Sequence, residues 1–110
     1  MMELKRHRIF INDFKKLKLL DSQFAKFIKY INMLCEDLLL PCEARDHELL
    51  GEYRGFREFH LGGDMLVIHH RDDSVITLAR IGTHSQLFKQ ASTLYRTPQS
   101  DLVPPLLPYT

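Results

Sequence analysis

The alternation of hydrophobic and polar positions divides the chain into a helical first part and a second part with the period of β-strands. Residues 4–11 show a weak strand pattern. Asn12 then stands where it can cap a helix that carries Phe14 and Leu17 on its apolar side. The chain is therefore expected to begin with a strand that leads into a short helix.

A second and clearer helix is predicted to begin at Asp21 and Ser22, which are typical residues for a helix start. Its apolar residues have helical spacing, which predicts one buried stripe. The stripe consists of Phe24, Phe27, Ile28, Ile31, Leu34, Cys35 and Leu38. Pro41 is expected to end this helix, because the residue before a proline avoids helical dihedral angles.

After an acidic loop, the period of the apolar positions changes to that of a half-buried sheet. Three strands are predicted at residues 53–60, 65–71 and 74–81. Glycines at 62 and 63 and aspartates at 72 and 73 mark the two turns between them. Helices followed by an antiparallel meander predict an α+β fold, with the helices on one face of the sheet and the other face free for function.

A short C-terminal helix is predicted after the last strand, because Thr83 and Gln86 have the spacing of a capping box. This helix is expected to continue through Phe88. The pattern then fails, and four prolines mark an irregular tail. We therefore divide the chain into one domain at residues 1–90 and a proline-containing tail at residues 91–110.

Composition fits a single small domain, since 45% of the 110 residues are hydrophobic. No apolar run approaches the roughly 20 residues that span a bilayer, and the start of the chain lacks the apolar region of a secretory signal. Cys35 and Cys42 form no zinc or disulfide pattern and are expected to be free thiols. The sequence thus predicts a cytoplasmic protein without a membrane segment.

Charge is unevenly distributed, although the formal net charge is only +1. Residues 1–34 carry eight basic and three acidic side chains, whereas residues 35–52 carry six acidic side chains and Arg45. A basic N-terminal face can hold RNA through its phosphates, but a solvated helix surface has the same composition. Charge alone leaves both interpretations open.

The turn after the strand predicted at residues 53–60 decides which side chains meet His60. A two-residue turn pairs Leu61 with Asp64 and leaves His60 on the opposite face. A three-residue loop with Gly63 in the left-handed conformation pairs His60 with Asp64, and we prefer this geometry. Glu58 shares the face of His60 by alternation. A carboxylate facing the imidazole would fix its tautomer and raise its pKa.

The other histidines occupy different settings. His84 begins the capped helix, where backbone N–H groups favour a phosphate, and Arg80 precedes it at the end of the last strand. His47 lies in the loop before the first meander strand, where binding groups are common. His69 and His70 alternate, so one of them must face the packed side of the sheet, and we interpret them as structural or as satisfied surface residues.

These residues suit metal-free acid–base chemistry on a phosphodiester. The chain lacks the HExxH and CxxC zinc motifs, a phosphate-binding glycine loop and a nucleophile motif such as GxSxG. A metal site assembled in space from His47, His60, Asp64 and His84 remains a second interpretation.

Two stretches, DHELLGEYRGFREFHLGGDMLVIHH and LARIGTHSQLF, together resemble the YafQ branch of the RelE/ParE toxin superfamily, the mRNA-cleaving toxins of bacterial toxin–antitoxin pairs. The resemblance rests on Asp-His, on a glycine followed by a basic residue, on an aromatic-Arg-acid-x-His strand, on an aspartate opening the next strand, and on Arg-x-Gly-Thr-His. The compound motif is specific, whereas any fragment of it is weak.

The resemblance implies a RelE-like fold and a ribosome-dependent endoribonuclease that needs no cofactor and is neutralised by a cognate antitoxin. It implies catalytic roles in proton transfer for His47, His60, Asp64 and His84. It implies substrate contacts for Arg80, Phe88, Arg54 and Glu58. The ribose 2′-hydroxyl of the mRNA would lose a proton to His60 or His47, and His84 would protonate the leaving 5′-oxygen while Arg80 stabilises the phosphorane.

Two other functions remain open. Members of the same superfamily inhibit DNA gyrase by contact and cleave nothing, so a non-catalytic binding module of the ParE type is one alternative. A metal-dependent hydrolase is the other, and treatment with a chelator separates it from the metal-free ribonuclease. The fold alone does not decide between these functions.

Overall fold

The computed structural model describes residues 1–88 of the chain. Its main elements are β1 (Glu3–Arg6), α1 (Arg8–Lys16), α2 (Asp21–Cys35), β2 (His47–Glu48), β3 (Arg57–Gly62), β4 (Met65–Arg71) and β5 (Val75–Thr83). Short 3-10 helices at Cys42–Ala44 and Gly51–Tyr53 flank β2, and a further helix begins at His84. The predicted tail at residues 91–110, with the domain boundary before it, lies outside the described residues.

The strands form one sheet in the order β1-β5-β4-β3-β2. The meander of β3, β4 and β5 is antiparallel as predicted, and the α+β class is confirmed. The sheet as a whole is mixed, because β1 pairs with β5 in parallel. A parallel pair needs a long connection. Here both helices and strands β2, β3 and β4 lie between the two partners in the chain. Strand β2 was not predicted, since two residues are too few to show a period.

Helix α1 begins earlier than predicted, so the expected strand at residues 4–11 is wrong beyond Arg6. His7 caps the helix in place of Asn12, because its Nδ1 accepts a hydrogen bond from the backbone N–H of Ile9 at 3.0 Å. The apolar run that starts at Ile9 has no period of its own and fits a strand or a helix equally well. Burial of Phe10 in the core selects the helix.

Helix α2 begins at Asp21 as predicted, and its first turn is closed by Gln23, whose Oε1 accepts the backbone N–H of Leu20 at 3.0 Å. The prediction that it continues to Pro41 is wrong, because it ends at Cys35. Asp37 follows in the left-handed conformation, with φ of 62°. Aspartate tolerates this conformation better than most residues do, so the helix can end before the proline.

The buried stripe of α2 is rotated relative to the predicted one. Phe24, Ile28 and Leu38 of the predicted stripe are exposed, whereas Tyr30 is fully buried. The tyrosine ring packs edge-on against Phe59, and its hydroxyl donates a hydrogen bond to the carboxylate of Glu43 at 3.2 Å. An amphipathic side chain with a satisfied hydroxyl can be core, which the pattern of purely apolar positions does not reveal.

Two apolar clusters lie on opposite faces of the sheet. The larger one packs the helices against the inward side chains of the strands, among them Phe59, Leu61 and Val67. The smaller one lies on the face away from the helices, which we call the second face. It consists of Tyr53, Phe56, Leu66, Ile68, Ala79 and Leu87. The second face is therefore only partly free, because the loop before β3 and the terminal helix cover some of it.

Three smaller predictions concern single residues and segments. His69 is buried against Phe59, whereas His70 is half-buried beside Phe56, so one of the pair faces the packed side as expected. Cys35 and Cys42 are free thiols. Within residues 1–88, no helix is long and apolar enough to cross a membrane.

Candidate active site

The alternation of side chains along β3 selects the residues that face the site. Phe59 and Leu61 point to the helices, so Glu58 and His60 point to the second face. Glu58 is paired with Ile68 of β4, and His60 is paired with Leu66. Both partners belong to the smaller cluster, which therefore forms one wall of the site.

Strand β2 adds His47 to this face, because it is paired directly with Glu58. The Oε2 atom of Glu58 lies 3.1 Å from Nε2 of His47 and 3.3 Å from Nε2 of His60. The two imidazole rings are stacked, with their centroids 6.2 Å apart. We call these three residues the His–Glu–His cluster. Its carboxylate is buried, with 6% of the side chain exposed, while 51% of His47 and 15% of His60 are exposed.

Hydrogen-bond partners favour particular tautomers of the two histidines. His47 Nδ1 lies 2.7 Å from the carbonyl oxygen of Arg45, which can only accept, so this nitrogen carries a proton. Its Nε2 faces the carboxylate of Glu58. His60 Nδ1 lies 3.4 Å from the Arg45 guanidinium, which can only donate. This contact is a hydrogen bond in the tautomer of His60 that carries its proton on Nε2 and a lone pair on Nδ1.

The environment of His60 supports its neutral form. Burial lowers the pKa of His60, and the positive charges of Arg45 and His47 lower it further. Glu58 acts in the opposite direction, but the net shift is downward. The expected rise in the pKa of His60 is thus wrong, because burial outweighs the carboxylate. An imidazole that stays neutral with an accessible lone pair can act as a general base near neutral pH.

The predicted pair of His60 with Asp64 is also wrong. Gly62 pairs with Met65, and the register shifts between His60 and Gly62, so His60 faces Leu66 instead. Gly62 and Gly63 both have positive φ, at 108° and 58°. Two adjacent glycines without a Cβ allow several turn registers, and the sequence alone does not select one. The carboxylate that faces His60 is Glu58, which the sequence placed on the same face.

Asp64 lies in the exposed turn and holds the start of the terminal helix. Its carbonyl oxygen accepts the backbone N–H of His84 at 3.1 Å. The predicted capping box is confirmed, since Gln86 Oε1 accepts the N–H of Thr83 at 2.8 Å and Thr83 Oγ1 accepts the N–H of Gln86 at 3.2 Å. His84 is therefore fixed through its backbone, while its side chain is exposed.

Cross-strand register places the two ends of the site. His60, Leu66 and Gly82 occupy one row across β3, β4 and β5. Two strand spacings put the Cα atoms of His60 and Gly82 about 10 Å apart, and His84 follows two residues later. The ring of His84 contacts Phe88, with centroids 4.7 Å apart. The site thus has the His–Glu–His cluster at one end and His84 with Phe88 at the other.

Arg80 is engaged by α1, which the sequence did not predict. Its Nε donates to Asp13 at 2.7 Å, and its Nη2 donates to the same carboxylate at 3.2 Å. Although burial opposes the charge, Asp13 holds the pKa of Arg80 above its ordinary value. The guanidinium remains positive, but two of its donors are occupied.

Phe88 and Arg54 are the remaining predicted contacts. Phe88 is half-buried, with its ring edge-on to Tyr53 at a centroid distance of 5.5 Å. The structure therefore brings Phe88 together with His84. Arg54 is exposed at the end of the 3-10 helix Gly51–Tyr53, on the loop that precedes β3.

Neither Arg45 as a neighbour of the cluster nor the anchoring of its segment was predicted from the sequence. The neighbouring Asp46 points away from the site and binds Arg57 at 3.2 Å, and it also lies 3.5 Å from the buried Nε2 of His69. Although burial favours the neutral carboxyl, His69 and Arg57 hold the pKa of Asp46 below its ordinary value. The one available signal was that Arg45 is the single basic residue among residues 35–52.

The cluster has the donor set of a transition-metal site. One ligand atom from each of His47, Glu58 and His60 can be chosen so that all lie within 4.8 Å of one another. Within residues 1–88, Oε1 of Glu58 is buried without a hydrogen-bond partner. Two imidazole nitrogens and a carboxylate oxygen suit copper or zinc. Asp64 and His84, which the second interpretation of the sequence placed in a metal site with these histidines, do not belong to this group within residues 1–88.

Comparison with known proteins points to one family. Residues 2–89 match a family model described as a bacterial toxin of type II toxin–antitoxin systems, YafQ. The mRNA interferase toxin YafQ of Escherichia coli (strain K12) is 35% identical over 63 residues, which span 56% of this chain and 68% of that protein.

Solved structures agree with this match. A copper-bound mutant toxin from Helicobacter pylori is 32% identical with a TM-score of 0.71, and the alignment covers 80% of this chain and 100% of that one. A chain in the DinJ–YafQ complex of E. coli is 26% identical with a TM-score of 0.70, and the alignment covers 80% of this chain and 99% of that one.

Proposed function

Since this chain belongs to the YafQ family of bacterial type II toxin–antitoxin toxins, we propose that it is an endoribonuclease that cleaves ribosome-bound mRNA by metal-free acid–base catalysis. The observation that carries this proposal is the His–Glu–His cluster, which places two imidazole rings against one buried carboxylate. A protein that acts by contact alone does not need such a proton-transfer arrangement on its surface.

His60 is the general base in this proposal. In the tautomer with its proton on Nε2, which faces Glu58 at 3.3 Å, the lone pair on Nδ1 can accept a proton from the ribose 2′-hydroxyl. His47, whose Nε2 lies 3.1 Å from the same carboxylate, is the second candidate for this role.

His84 is the general acid that protonates the leaving 5′-oxygen. It lies beyond the row of His60, Leu66 and Gly82, at the opposite end of the site from the base. Acid and base on opposite ends match an in-line attack, in which the attacking and leaving oxygens lie on either side of the phosphorus. Phe88 offers a ring beside His84 on which a base of the RNA can stack.

Arg80 contributes positive charge beside the phosphate, with Asp13 occupying two of its five N–H donors. Asp64 holds His84 through its backbone carbonyl. Replacing the side chain of Asp64 should therefore lower the cleavage rate much less than replacing the side chain of His60 or His84. Arg54 is an exposed cation on the loop beside the site and fits a phosphate contact.

A cognate antitoxin, the ribosome and mRNA are the proposed partners, and the cytoplasm is the proposed compartment. The E. coli relative in complex with DinJ supports the first partner. Of the eight basic side chains in residues 1–34, all but Lys26 are exposed, and these can contact ribosomal RNA phosphates. The ribosome can also orient the mRNA, which supplies part of the rate acceleration.

Metal removal tests the proposed chemistry. Toxin treated with excess EDTA is expected to cleave mRNA at the parental rate, because no step uses a metal. Added copper is expected to abolish cleavage as the cluster becomes saturated, since it would bind the imidazole and carboxylate atoms that proton transfer needs. Cleavage can be followed by primer extension on ribosome-bound mRNA. The measurements in EDTA use a minimal RNA substrate without added metal ions.

Two further measurements make the metal test decisive. EDTA added after copper should restore cleavage, and Glu58→Gln should weaken copper binding measured by calorimetry, because it removes the carboxylate donor. Activity that disappears in EDTA and returns only with zinc or manganese would instead establish a metal-dependent hydrolase.

A further inference from the structure

Arg45 occupies an unusual backbone position beside the cluster. It follows the 3-10 helix Cys42–Ala44 in the left-handed conformation, with φ of 50° and ψ of 43°. Few residues other than glycine, asparagine and aspartate adopt this conformation. Its backbone N–H donates to the carbonyl oxygen of Cys42 at 2.9 Å, and its side chain is exposed. An arginine in this place therefore needs an explanation from its contacts.

Both ends of Arg45 contact a histidine of the cluster. Its carbonyl oxygen accepts the Nδ1–H of His47 at 2.7 Å, and its guanidinium lies 3.4 Å from Nδ1 of His60. The left-handed backbone turns the carbonyl toward His47 while the side chain reaches His60. Asp46, anchored to Arg57 on the other side of the segment, holds this arrangement in place.

The charge of Arg45 is not neutralised. Among residues 1–88, no carboxylate forms an ion pair with it, whereas Arg57, Arg71 and Arg80 are each bound to an aspartate. Its contact with His60 is long and exposed. A guanidinium of this kind beside a general base is placed to bind a phosphate with two parallel hydrogen bonds.

We propose that Arg45 binds the scissile phosphate through its guanidinium and positions His47 through its carbonyl, a role that rests on the proposed ribonuclease function. When the guanidinium turns to the phosphate, Nδ1 of His60 is left open to the 2′-hydroxyl next to that phosphate. Arg45 thus supplies a phosphate-binding cation that no carboxylate of residues 1–88 pairs, whereas Arg80 is paired with Asp13.

Two substitutions separate the two roles of Arg45. Arg45→Gly removes the guanidinium but keeps the left-handed backbone, because glycine adopts positive φ without strain. Arg45→Val also removes the guanidinium but disfavours that backbone, because a β-branched residue rarely adopts it. Arg45→Lys keeps the positive charge but lacks the two parallel N–H donors of a guanidinium. Arg71→Gln, at the far end of β4, is the matched control for the loss of one positive charge.

Kinetics on ribosome-bound mRNA should distinguish these variants. Arg45→Gly is expected to lower kcat/KM by roughly 10- to 100-fold, mainly through KM, which is the usual effect of losing a charged hydrogen bond. Arg45→Lys should recover part of this loss. Arg45→Val should lose kcat in addition, because His47 is no longer held, and Arg71→Gln should match the parent. Parental KM in Arg45→Gly would overturn the phosphate role.

Nuclear magnetic resonance tests the same assignment without cleavage. Titration with inorganic phosphate should perturb the His60 ring of the parent, and the apparent affinity should fall about tenfold in Arg45→Gly. The Nδ1–H signal of His47 should persist in Arg45→Gly and change in Arg45→Val. Equal phosphate affinity in parent and Arg45→Gly overturns the proposal even if RNA is cleaved. Absence of cleavage by the parent, with the phosphate effect present, would reject the ribonuclease function but retain Arg45 as an anion ligand.

Discussion

Replacing His60 by glutamine is expected to reduce mRNA cleavage by about two to four orders of magnitude, the usual contribution of one general base. Glutamine keeps the local geometry, because its amide N–H can donate to Glu58 and its amide oxygen can accept from Arg45. It cannot accept a proton from a hydroxyl. Cleavage rates on ribosome-bound mRNA measure the loss, and circular dichroism verifies that the fold is kept.

The pH dependence of the parent gives the same assignment a second test. A general base works unprotonated, and burial of His60 lowers its pKa below the ordinary value of 6.5. Activity should therefore fall only as the pH drops below 6.5, and this acidic limb should be absent in His60→Gln. His70→Gln, a change on the neighbouring strand, should leave both the cleavage rate and its fall at acidic pH unaltered. A His60→Gln variant that cleaves like the parent would remove His60 from the mechanism.

Replacing His84 by glutamine is expected to cause a loss of similar size for a different reason. The general acid is removed, but the terminal helix should persist, because its capping box belongs to Thr83 and Gln86. The bond from its backbone N–H to Asp64 also survives the substitution. Binding to the ribosome and to the antitoxin should be unchanged, while cleavage falls by about two to four orders of magnitude.

The leaving group distinguishes the acid from the base. A substrate with sulfur in place of the bridging 5′-oxygen needs less protonation, so it should restore much of the rate of His84→Gln. His60→Gln should gain nothing comparable, because its defect concerns the 2′-hydroxyl. Rescue of His60→Gln rather than His84→Gln would reverse the two assignments.

Local signals in the sequence predicted much of the framework. The strand at 65–71 and the start of α2 at Asp21 match the structure, because a clear period or a capping residue marks each. The capping box of Thr83 and Gln86 is likewise a short-range pattern that needs no tertiary contact. The histidines were recognisable by their positions next to turns, and Glu58 by its alternation with His60.

Features that depend on tertiary contacts were not predictable in the same way. The register after His60 depends on how two adjacent glycines share the turn, which their lack of a side chain leaves undetermined. Asp13 and Arg80 are 67 residues apart, and no local pattern links them. Arg45 acts through its carbonyl as much as through its side chain, and a backbone conformation is not visible in residue types.

The chemistry of the cleaved RNA ends tests the central claim most directly. If the 2′-hydroxyl attacks the phosphate and His84 protonates the 5′-oxygen, the parent must leave a 2′,3′-cyclic phosphate on one fragment and a 5′-hydroxyl on the other. Mass spectrometry of fragments from ribosome-bound mRNA identifies both ends. Fragments that carry a 3′-hydroxyl and a 5′-phosphate would show attack by water, as in metal-assisted hydrolysis, and would contradict the metal-free mechanism assigned to His60 and His84.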